Sequence, residues 1–504
     1  MSVMPAPQAL GPPALGWAEP TAADTARFPP AEIFAAGLHQ HHLANTAYPI
    51  AHAETWRPYR VPRAAVEATT RRAFAPVDAL CLYVHVPFCA TRCAFCAYTV
   101  VEREEAAGAD LYAQQVVQEL TLYAAALDTA RRRLHGLDLG GGTPTVLEPA
   151  AIGQILSAVH RHFRWAPGAD ISIETTPRIA ARAPDRLVAL RALGIDRISM
   201  GIQVVQPALL RTLRREAGGI GEQRRAVEHI RRAGFKRLNV DLMYGFAGQS
   251  LLSWQATVAH AIALGPEAIT LYRMRYKQTR LASQAGRVTL EQIHQQTTLA
   301  QQVLGAAGYA APPGKTTYCR VAGETGTSAY LTQRVVAGMP YLGLGLGAQS
   351  LSPSTLAYNA GAASKRLAPY QRALAAGRLP IQDLYHLPAR QLMAKMCAVS
   401  FYFGAIDRAA FAAKFGQPLE RVFAEEVAFV VDRGLMQLTP RALALTPAGV
   451  AQLNGVIALF YAPAVQAHLL RLAADGGHGA RQGAAGSRPR SLAFAKDGGA
   501  ETRA

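Results

Sequence analysis

From residue 82 onward, short apolar runs alternate with amphipathic stretches. The runs at 82–86, 136–139, 170–174, 197–201, 237–243 and 268–272 read as strands. The stretches near 110–127, 149–163, 184–193, 206–214, 221–233 and 253–264 read as helices. Strands that alternate with helices predict a parallel sheet with crossover helices. Six such units predict an α/β fold, a partial (β/α)6 barrel of the TIM type. In a barrel of this kind, function belongs at the C-terminal ends of the strands.

The pattern fades over 275–350. There Tyr341-Leu-Gly-Leu-Gly-Leu-Gly-Ala-Gln-Ser resembles a dinucleotide fingerprint but lacks the strand–turn–helix frame and the acidic residue. A tight glycine turn over a ligand is the better reading. From about 380, helices at 390–403, 406–415 and 419–433 precede a hairpin that starts at Gly434 and leads into another helix. These predict a helical, winged-helix-like C-terminal domain. Such a unit can bind DNA, but a fold does not dictate a function. Residues 1–45 are rich in Ala and Pro with little periodicity, and the chain after about 470 is Gly, Ala, Arg and Ser. Both are expected to be at least partly disordered. Residues 45–56 read as a turn-like stretch packed on the main domain. The expected division is an N-terminal extension over 1–79, a core over 80–375, a C-terminal domain over 376–468 and a tail over 469–504.

The net charge of +18 would ordinarily suggest nucleic acid or an anionic surface as partner. Only seven of the 52 basic residues are Lys, however, and the Arg residues are scattered through an Ala-rich chain. Diffuse charge from coding bias explains this better, and a nucleic-acid partner is not expected. No apolar run is long enough to span a bilayer, so no membrane partner is expected either. The N-terminus lacks the basic start and apolar core of a signal peptide. The expectation is a cytoplasmic protein in a reducing compartment.

The candidate chemistry sits directly after the first strand, in Cys89-Ala-Thr-Arg-Cys93-Ala-Phe-Cys96. This stretch holds three of the chain's six cysteines. A disulfide framework is disfavoured, because three thiols cannot pair off. A zinc site would need a fourth ligand, for which His85 is the near candidate. Three thiolates could instead hold a [4Fe–4S] cube with one iron left open, as a catalytic metal site requires. Other strand ends carry Gly140-Gly-Gly-Thr-Pro-Thr145, Glu174, and Ser199-Met-Gly-Ile-Gln203 followed by Arg214-Arg215-Glu216. Glycines let a backbone approach a ligand, or simply turn. Glu174 could bond an ammonium or a hydroxyl, or be a solvated edge residue. A guanidinium suits a carboxylate. Asp241 lies in the apolar run Leu238-Asn-Val-Asp-Leu-Met, where a carboxylate is costly unless it binds something, such as ribose hydroxyls.

The C-x-x-x-C-x-x-C spacing is that of the radical SAM superfamily. The ordered set Tyr83-Val-His-Val-Pro-Phe-Cys, Gly-Gly-Gly-Thr-Pro-Thr, Ile-Glu-x-x-Pro, Ser-Met-Gly-Ile-Gln, Asp-Leu-Met-Tyr-Gly and Gly-Leu-Gly-Ala-Gln-Ser resembles its HemN-like branch from about residue 80 to 465. The type enzyme of that branch is the oxygen-independent coproporphyrinogen III oxidase; haem chaperones and class C methyltransferases belong to it too. The resemblance implies that Cys89, Cys93 and Cys96 hold a [4Fe–4S] cluster whose open iron takes S-adenosylmethionine. It implies that Tyr83, Gly141 and Glu174 contact this molecule. It also implies that Phe95, Gly142, Thr143, Gln203, Arg215 and Asp241 contact a second one. The implied chemistry is reductive cleavage to a 5′-deoxyadenosyl radical that acts on a tetrapyrrole or other large anionic substrate. An electron donor such as flavodoxin or ferredoxin is implied as partner.

Three departures bear on the reaction. Tyr98 stands where the type enzyme has another cysteine, and Ala329-Tyr-Leu-Thr-Gln replaces its Phe-x-Gly-Tyr segment. In Thr270-Leu-Tyr-Arg-Met-Arg-Tyr-Lys277, strand alternation would put Arg273, Arg275 and Lys277 on one face. Arg275 falls near the implied second S-adenosylmethionine site. This basic ribbon would recognise an anionic substrate, or be only a charged edge. Oxidative decarboxylation, methylation and a haem-binding role without turnover all remain open at this point.

Overall fold

The computed structural model describes residues 16–38, 48–101, 109–215 and 219–479. At its centre, six parallel strands lie side by side in chain order: β1 (Ala79–Val86), β2 (Arg133–Gly141), β3 (Ile171–Thr175), β4 (Arg197–Gln203), β5 (Arg237–Tyr244) and β6 (Ala268–Arg273). Helices such as Ala109–Leu127, Pro149–His162, Ile220–Arg232 and Leu251–Ala263 make the crossovers. The partial (β/α)6 barrel expected from the apolar runs is therefore present. Strand alternation explains it. Leu82, Val84, Leu137, Leu139, Ile173, Ile198, Val240 and Leu242 point outward into one core with the helices. Burying each such side chain contributes roughly 1.5–3 kcal/mol. The other face of the same strands carries Tyr83, Asp138, Glu174, Ser199, Asn239 and Asp241, and it forms the lumen.

The irregular stretch 275–350 completes the sheet. It supplies β7 (Thr317–Cys319), antiparallel to β6, and β8 (Tyr341–Leu344), parallel to β1. The antiparallel strands β9 (Gln349–Leu351), β10 (Thr355–Asn359) and β11 (Ile381–His386) follow. Because β11 pairs with β10, residues 381–386 belong to the main sheet and not to a domain that begins at 376. The helix Ala329–Val335 plugs the lumen from below. Its cap residue Ser328 donates to Asp138 Oδ2 at 2.8 Å, and Ala329 N–H donates to Asp170 Oδ1 at 2.9 Å. Gly136 of β2 lacks a side chain where the start of this helix rests on the strand.

The C-terminal region is built on the helix Ala389–Ser400, buried throughout from 391 to 400. Around it lie helices Arg408–Phe415 and Ala424–Asp432 and a small antiparallel sheet of β12 (Ala405–Asp407), β13 (Met436–Leu438) and β14 (Ala442–Leu445), with β14 central. This is the winged-helix arrangement expected there. The last helix, Pro463–Gly479, runs past residue 469, because Val465 and Leu469 bury in the domain core. The structureless tail was placed too early.

The described part of the N-terminal extension is fastened rather than loose. Helix Pro30–Leu38 buries Ile33 and Ala36 against Val456 and Ile457. Gln391 accepts from Trp56 Nε1 at 2.7 Å and donates to Asp24 Oδ1 at 2.6 Å. An Ala- and Pro-rich composition hid this, because long-range partners supply the burial. The disorder expected for 1–15, 39–45 and the chain beyond 479 falls outside the described residues. Among the described residues, no helix is long and apolar enough to cross a membrane.

Candidate functional site

The cysteine loop leaves the C-terminal end of β1 and is stitched to its neighbours by backbone hydrogen bonds. Gly142 N–H donates to Val86 O and Thr143 N–H to Phe88 O, each at 2.7 Å. Ala94 N–H donates to Leu213 O at 3.0 Å, and Arg280 N–H donates to Ala94 O at 3.0 Å. A Cβ on Gly142 would sit 2.5 Å from Phe88 O, so only glycine permits this approach. Gly141, at φ +114°, is in the region that glycine favours.

Cys89, Cys93 and Cys96 are free and half-buried. Burial pushes the Cys89 thiol up to about 11, against the pull of the Thr143 hydroxyl 3.5 Å away. Burial also raises Cys96, while the backbone N–H of Tyr98 and the charges of Arg92 and Lys365 draw it down. Arg215 Nη1 donates to Cys93 Sγ at 3.2 Å. Among the described residues, no three Cys, His, Asp or Glu side chains are placed to hold a single metal ion. A [4Fe–4S] cube would take its thiolates at separate corners. His85, the fourth ligand a zinc site would need, has its Nε2 on Thr99 O at 2.8 Å and its Nδ1 3.5 Å from Tyr83 Oη. Its ring braces the chain beyond Cys96.

The sequence-predicted residues surround this loop in two groups. In the first, Gly141 N–H donates to Glu174 Oε2 at 3.2 Å. Glu174 Oε1 and Tyr83 Oη would lie 2.9 and 3.0 Å from a Cβ on Gly140. Glu174 is reached by solvent yet enclosed by protein, which marks the wall of a cleft. That enclosure, and then the charge of Asp241, push its carboxyl up to about 7. Asp241 accepts from Ser199 Oγ at 3.1 Å and Asn239 Nδ2 at 2.7 Å, and burial raises it overall.

The second group lies beside the cysteines. A bulge in β4 puts Gln203 at φ +69°, and its Oε1 is buried with no hydrogen-bond partner among the described residues. Arg215 donates to Gly201 O as well as to Cys93. Phe95 packs on Phe246 with ring centroids 6.4 Å apart, and Thr143 faces Cys89. Glu216 lies outside the described residues.

The basic ribbon does not form. β6 ends at Arg273, so alternation no longer applies beyond it. Arg273 lies near Tyr244, whereas Tyr272 Oη is 3.4 Å from Tyr402 Oη. Arg275 stands in electrostatic reach of Tyr98, which also feels Glu174 and Tyr402. Tyr98 is 68% exposed. The cleft mouth therefore carries Tyr98, Tyr272 and Tyr402 with one arginine. Sequence reasoning missed Tyr402, which comes from the C-terminal region, and Lys365, whose Nζ donates to Ala97 O at 2.8 Å. Both contacts are long-range, and no local pattern announces them.

Residues 83–261 match the model of the radical SAM superfamily. The chain is 29% identical over 235 residues to an oxygen-independent coproporphyrinogen III oxidase of Bradyrhizobium diazoefficiens, covering 45% of this chain and 51% of that one. It is 32% identical over 251 residues to the heme chaperone HemW of Mycobacterium tuberculosis, covering 48% and 63%. The chain thus spans between about half and under two thirds of these curated relatives. The solved structure of coproporphyrinogen III oxidase (HemN) from Escherichia coli superposes with a TM-score of 0.66 at 24% identity, covering 78% of this chain and 93% of that one. That likeness concerns the fold.

Proposed function

We propose that this chain, a HemN-like member of the radical SAM superfamily, holds a [4Fe–4S] cluster through Cys89, Cys93 and Cys96 and cleaves S-adenosylmethionine reductively. The cysteine loop carries this reading: three half-buried thiols on the rim of a parallel barrel, with Gly142 and Thr143 of the next strand bonded into it. Bound there, the cluster would supply the electron for reductive cleavage of a carbon–sulfur bond of S-adenosylmethionine.

The chain's own residues bind and orient. Arg215 sets a positive charge against Cys93. Tyr83, Gly141 and Glu174 form one polar wall, where the Glu174 carboxylate keeps free acceptor capacity for an ammonium or hydroxyl. Asp241 and the unpartnered Gln203 Oε1 accept from further donors such as ribose hydroxyls. Phe95, packed on Phe246, and Thr143, facing Cys89, would contact a second S-adenosylmethionine beside the first. A low-potential carrier such as flavodoxin or ferredoxin would deliver the electron.

The substrate is a tetrapyrrole or another large anionic molecule, and the reaction is oxidative decarboxylation; relatives named coproporphyrinogen III oxidases support this. One observation favours a second reading, methyl transfer: Tyr98 fills the mouth with a phenol where the oxidase resemblance calls for a thiol. The test is anaerobic turnover of reconstituted protein with S-adenosylmethionine and a strong reductant, with and without coproporphyrinogen III or haem, read by mass spectrometry. Loss of carboxyl groups from the porphyrinogen alongside 5′-deoxyadenosine is the expected result. Co-production of S-adenosylhomocysteine would move the assignment to methyl transfer. Tight haem binding with no cleavage would replace the enzyme with a chaperone.

A further inference from the structure

On the helical side of the barrel, basic and acidic residues pair: Arg182 with Glu222, Arg186 with Glu148, Arg191 with Asp196 and Arg231 with Glu267. Around the cysteine loop the charge is one-sided. The stretches 205–215, 274–290 and 360–372 hold ten Arg or Lys and no Asp or Glu. All three are tied to the loop. Ala94 N–H donates to Leu213 O and Arg280 N–H donates to Ala94 O, each at 3.0 Å. On the other flank Lys365 Nζ donates to Ala97 O at 2.8 Å. Lys365 is also in electrostatic reach of Arg92 and Cys96. Arg214, Lys277, Arg280 and Arg366 are exposed, and among the described residues none of them pairs with a carboxylate. The acidic residues next along the chain, from Glu102 and at Glu216, lie outside the described residues.

Ala94 and Ala97 are separated by at most about 10 Å of chain. Both flanks therefore fall inside the face, up to roughly 600 Å² per partner, that a transient redox contact covers. Between the flanks the cover is thin. Apart from Tyr98 at the cleft mouth, the loop exposes only Ala90, Thr91 and Ala97. Small side chains let a partner's surface come close to the thiols. Electron transfer weakens steeply with distance, so this is where a donor has to sit.

We propose that the basic face around the cysteine loop is the docking surface for an acidic one-electron carrier protein, with Arg280 on one flank and Arg366 on the other steering it to the loop. The proposal rests on the reading that Cys89, Cys93 and Cys96 hold a reducible cluster. Each docking event oxidises the carrier by one electron and reduces the cluster by one; no proton or group passes between the proteins. Opposite charge on the two faces raises the rate of encounter by roughly 10- to 1,000-fold, and salt screens it.

The test compares two reductants on the reconstituted full chain. Dithionite is small and needs no docking surface, whereas reduced flavodoxin does. Formation of 5′-deoxyadenosine is measured at limiting flavodoxin for the wild type, for Arg280→Glu with Arg366→Glu, and for a control pair, Arg71→Glu with Arg161→Glu. The control makes the same change of net charge on exposed residues that precede the strands, at the opposite end of the barrel. The first pair should lower the flavodoxin-driven rate about tenfold or more and leave the dithionite-driven rate unchanged, while the control lowers neither appreciably. Added salt should narrow the gap between wild type and the first pair. Calorimetric titration with oxidised flavodoxin reads docking without turnover. No cleavage by the wild type with dithionite would sink the cluster reading, and the titration would then decide the docking surface alone. It also decides if the first pair loses dithionite-driven cleavage. The proposal is overturned if the first pair matches the wild type in flavodoxin-driven rate or, where the titration decides, in affinity, or if the control pair loses as much as the first.

Discussion

Glu119 and Glu174 are both raised to about 7 by the protein around them, yet they do different work. Glu119, on helix Ala109–Leu127, is fully buried. It accepts from Gly345 N–H at 2.7 Å, Asn359 Nδ2 at 2.7 Å and Tyr370 Oη at 2.8 Å. It thereby pins the glycine turn after β8. On the same helix, Tyr112 accepts from Leu346 N–H at 2.8 Å and donates to His85 O at 2.6 Å, which ties that turn to the strand below the cysteine loop. Among the described residues Glu174 has one protein donor, Gly141 N–H, and it otherwise faces the cleft. A saturated buried carboxylate builds architecture, whereas one with spare acceptor capacity in a cleft is available to a ligand.

The largest effect expected is that of Cys93→Ala. It should abolish S-adenosylmethionine cleavage while leaving the thermal midpoint of the apo chain nearly unchanged, because the thiol supports no core packing. Glu119→Ala should do the reverse. It strands three buried donors and should cost roughly 3 kcal/mol or more in denaturant unfolding, with cleavage retained per folded, loaded molecule. The pH dependence follows with its sign. The folded state holds the Glu119 proton more tightly than the unfolded chain, whose carboxyl titrates near 4.5. Its stability contribution is thus full below pH 4.5 and is lost as pH rises through about 7. Relative to Glu119→Gln, the wild type should lose up to roughly 3 kcal/mol between these limits, measured by unfolding across pH. The smallest effect on stability belongs to Glu174→Gln. Measured well below pH 4.5, where a carboxyl raised to about 7 is protonated in both states, it should change unfolding by no more than about 0.5 kcal/mol, while at neutral pH it weakens S-adenosylmethionine binding to the loaded protein about tenfold. An equal loss of stability in the Glu174 and Glu119 variants would erase the distinction between them.

The barrel was legible because its six strands carry dense apolar runs whose outward residues bury against the helices. The cysteine loop was legible because its spacing is local. The strand ends were legible too, since Glu174 and Asp241 are carboxylates in apolar surroundings. What failed was local pattern carried past its support. Alternation through Lys277 assumed a strand, but Met274 N–H turns back to Tyr244 O at 2.8 Å and β6 has already stopped. The strands β8 to β11 are short, and their pairing is set by distant partners. The same holds for Glu119 and Tyr402. Each is made by residues far apart in the chain, and none of them repeats with a period.

The most direct test of the central claim is anaerobic cleavage of S-adenosylmethionine by wild-type and Cys93→Ala protein, each reconstituted with iron and sulfide and supplied with a strong reductant. The account predicts 5′-deoxyadenosine from the wild type and none from the variant. A wild type fully loaded with cluster that releases no more 5′-deoxyadenosine than Cys93→Ala would contradict it.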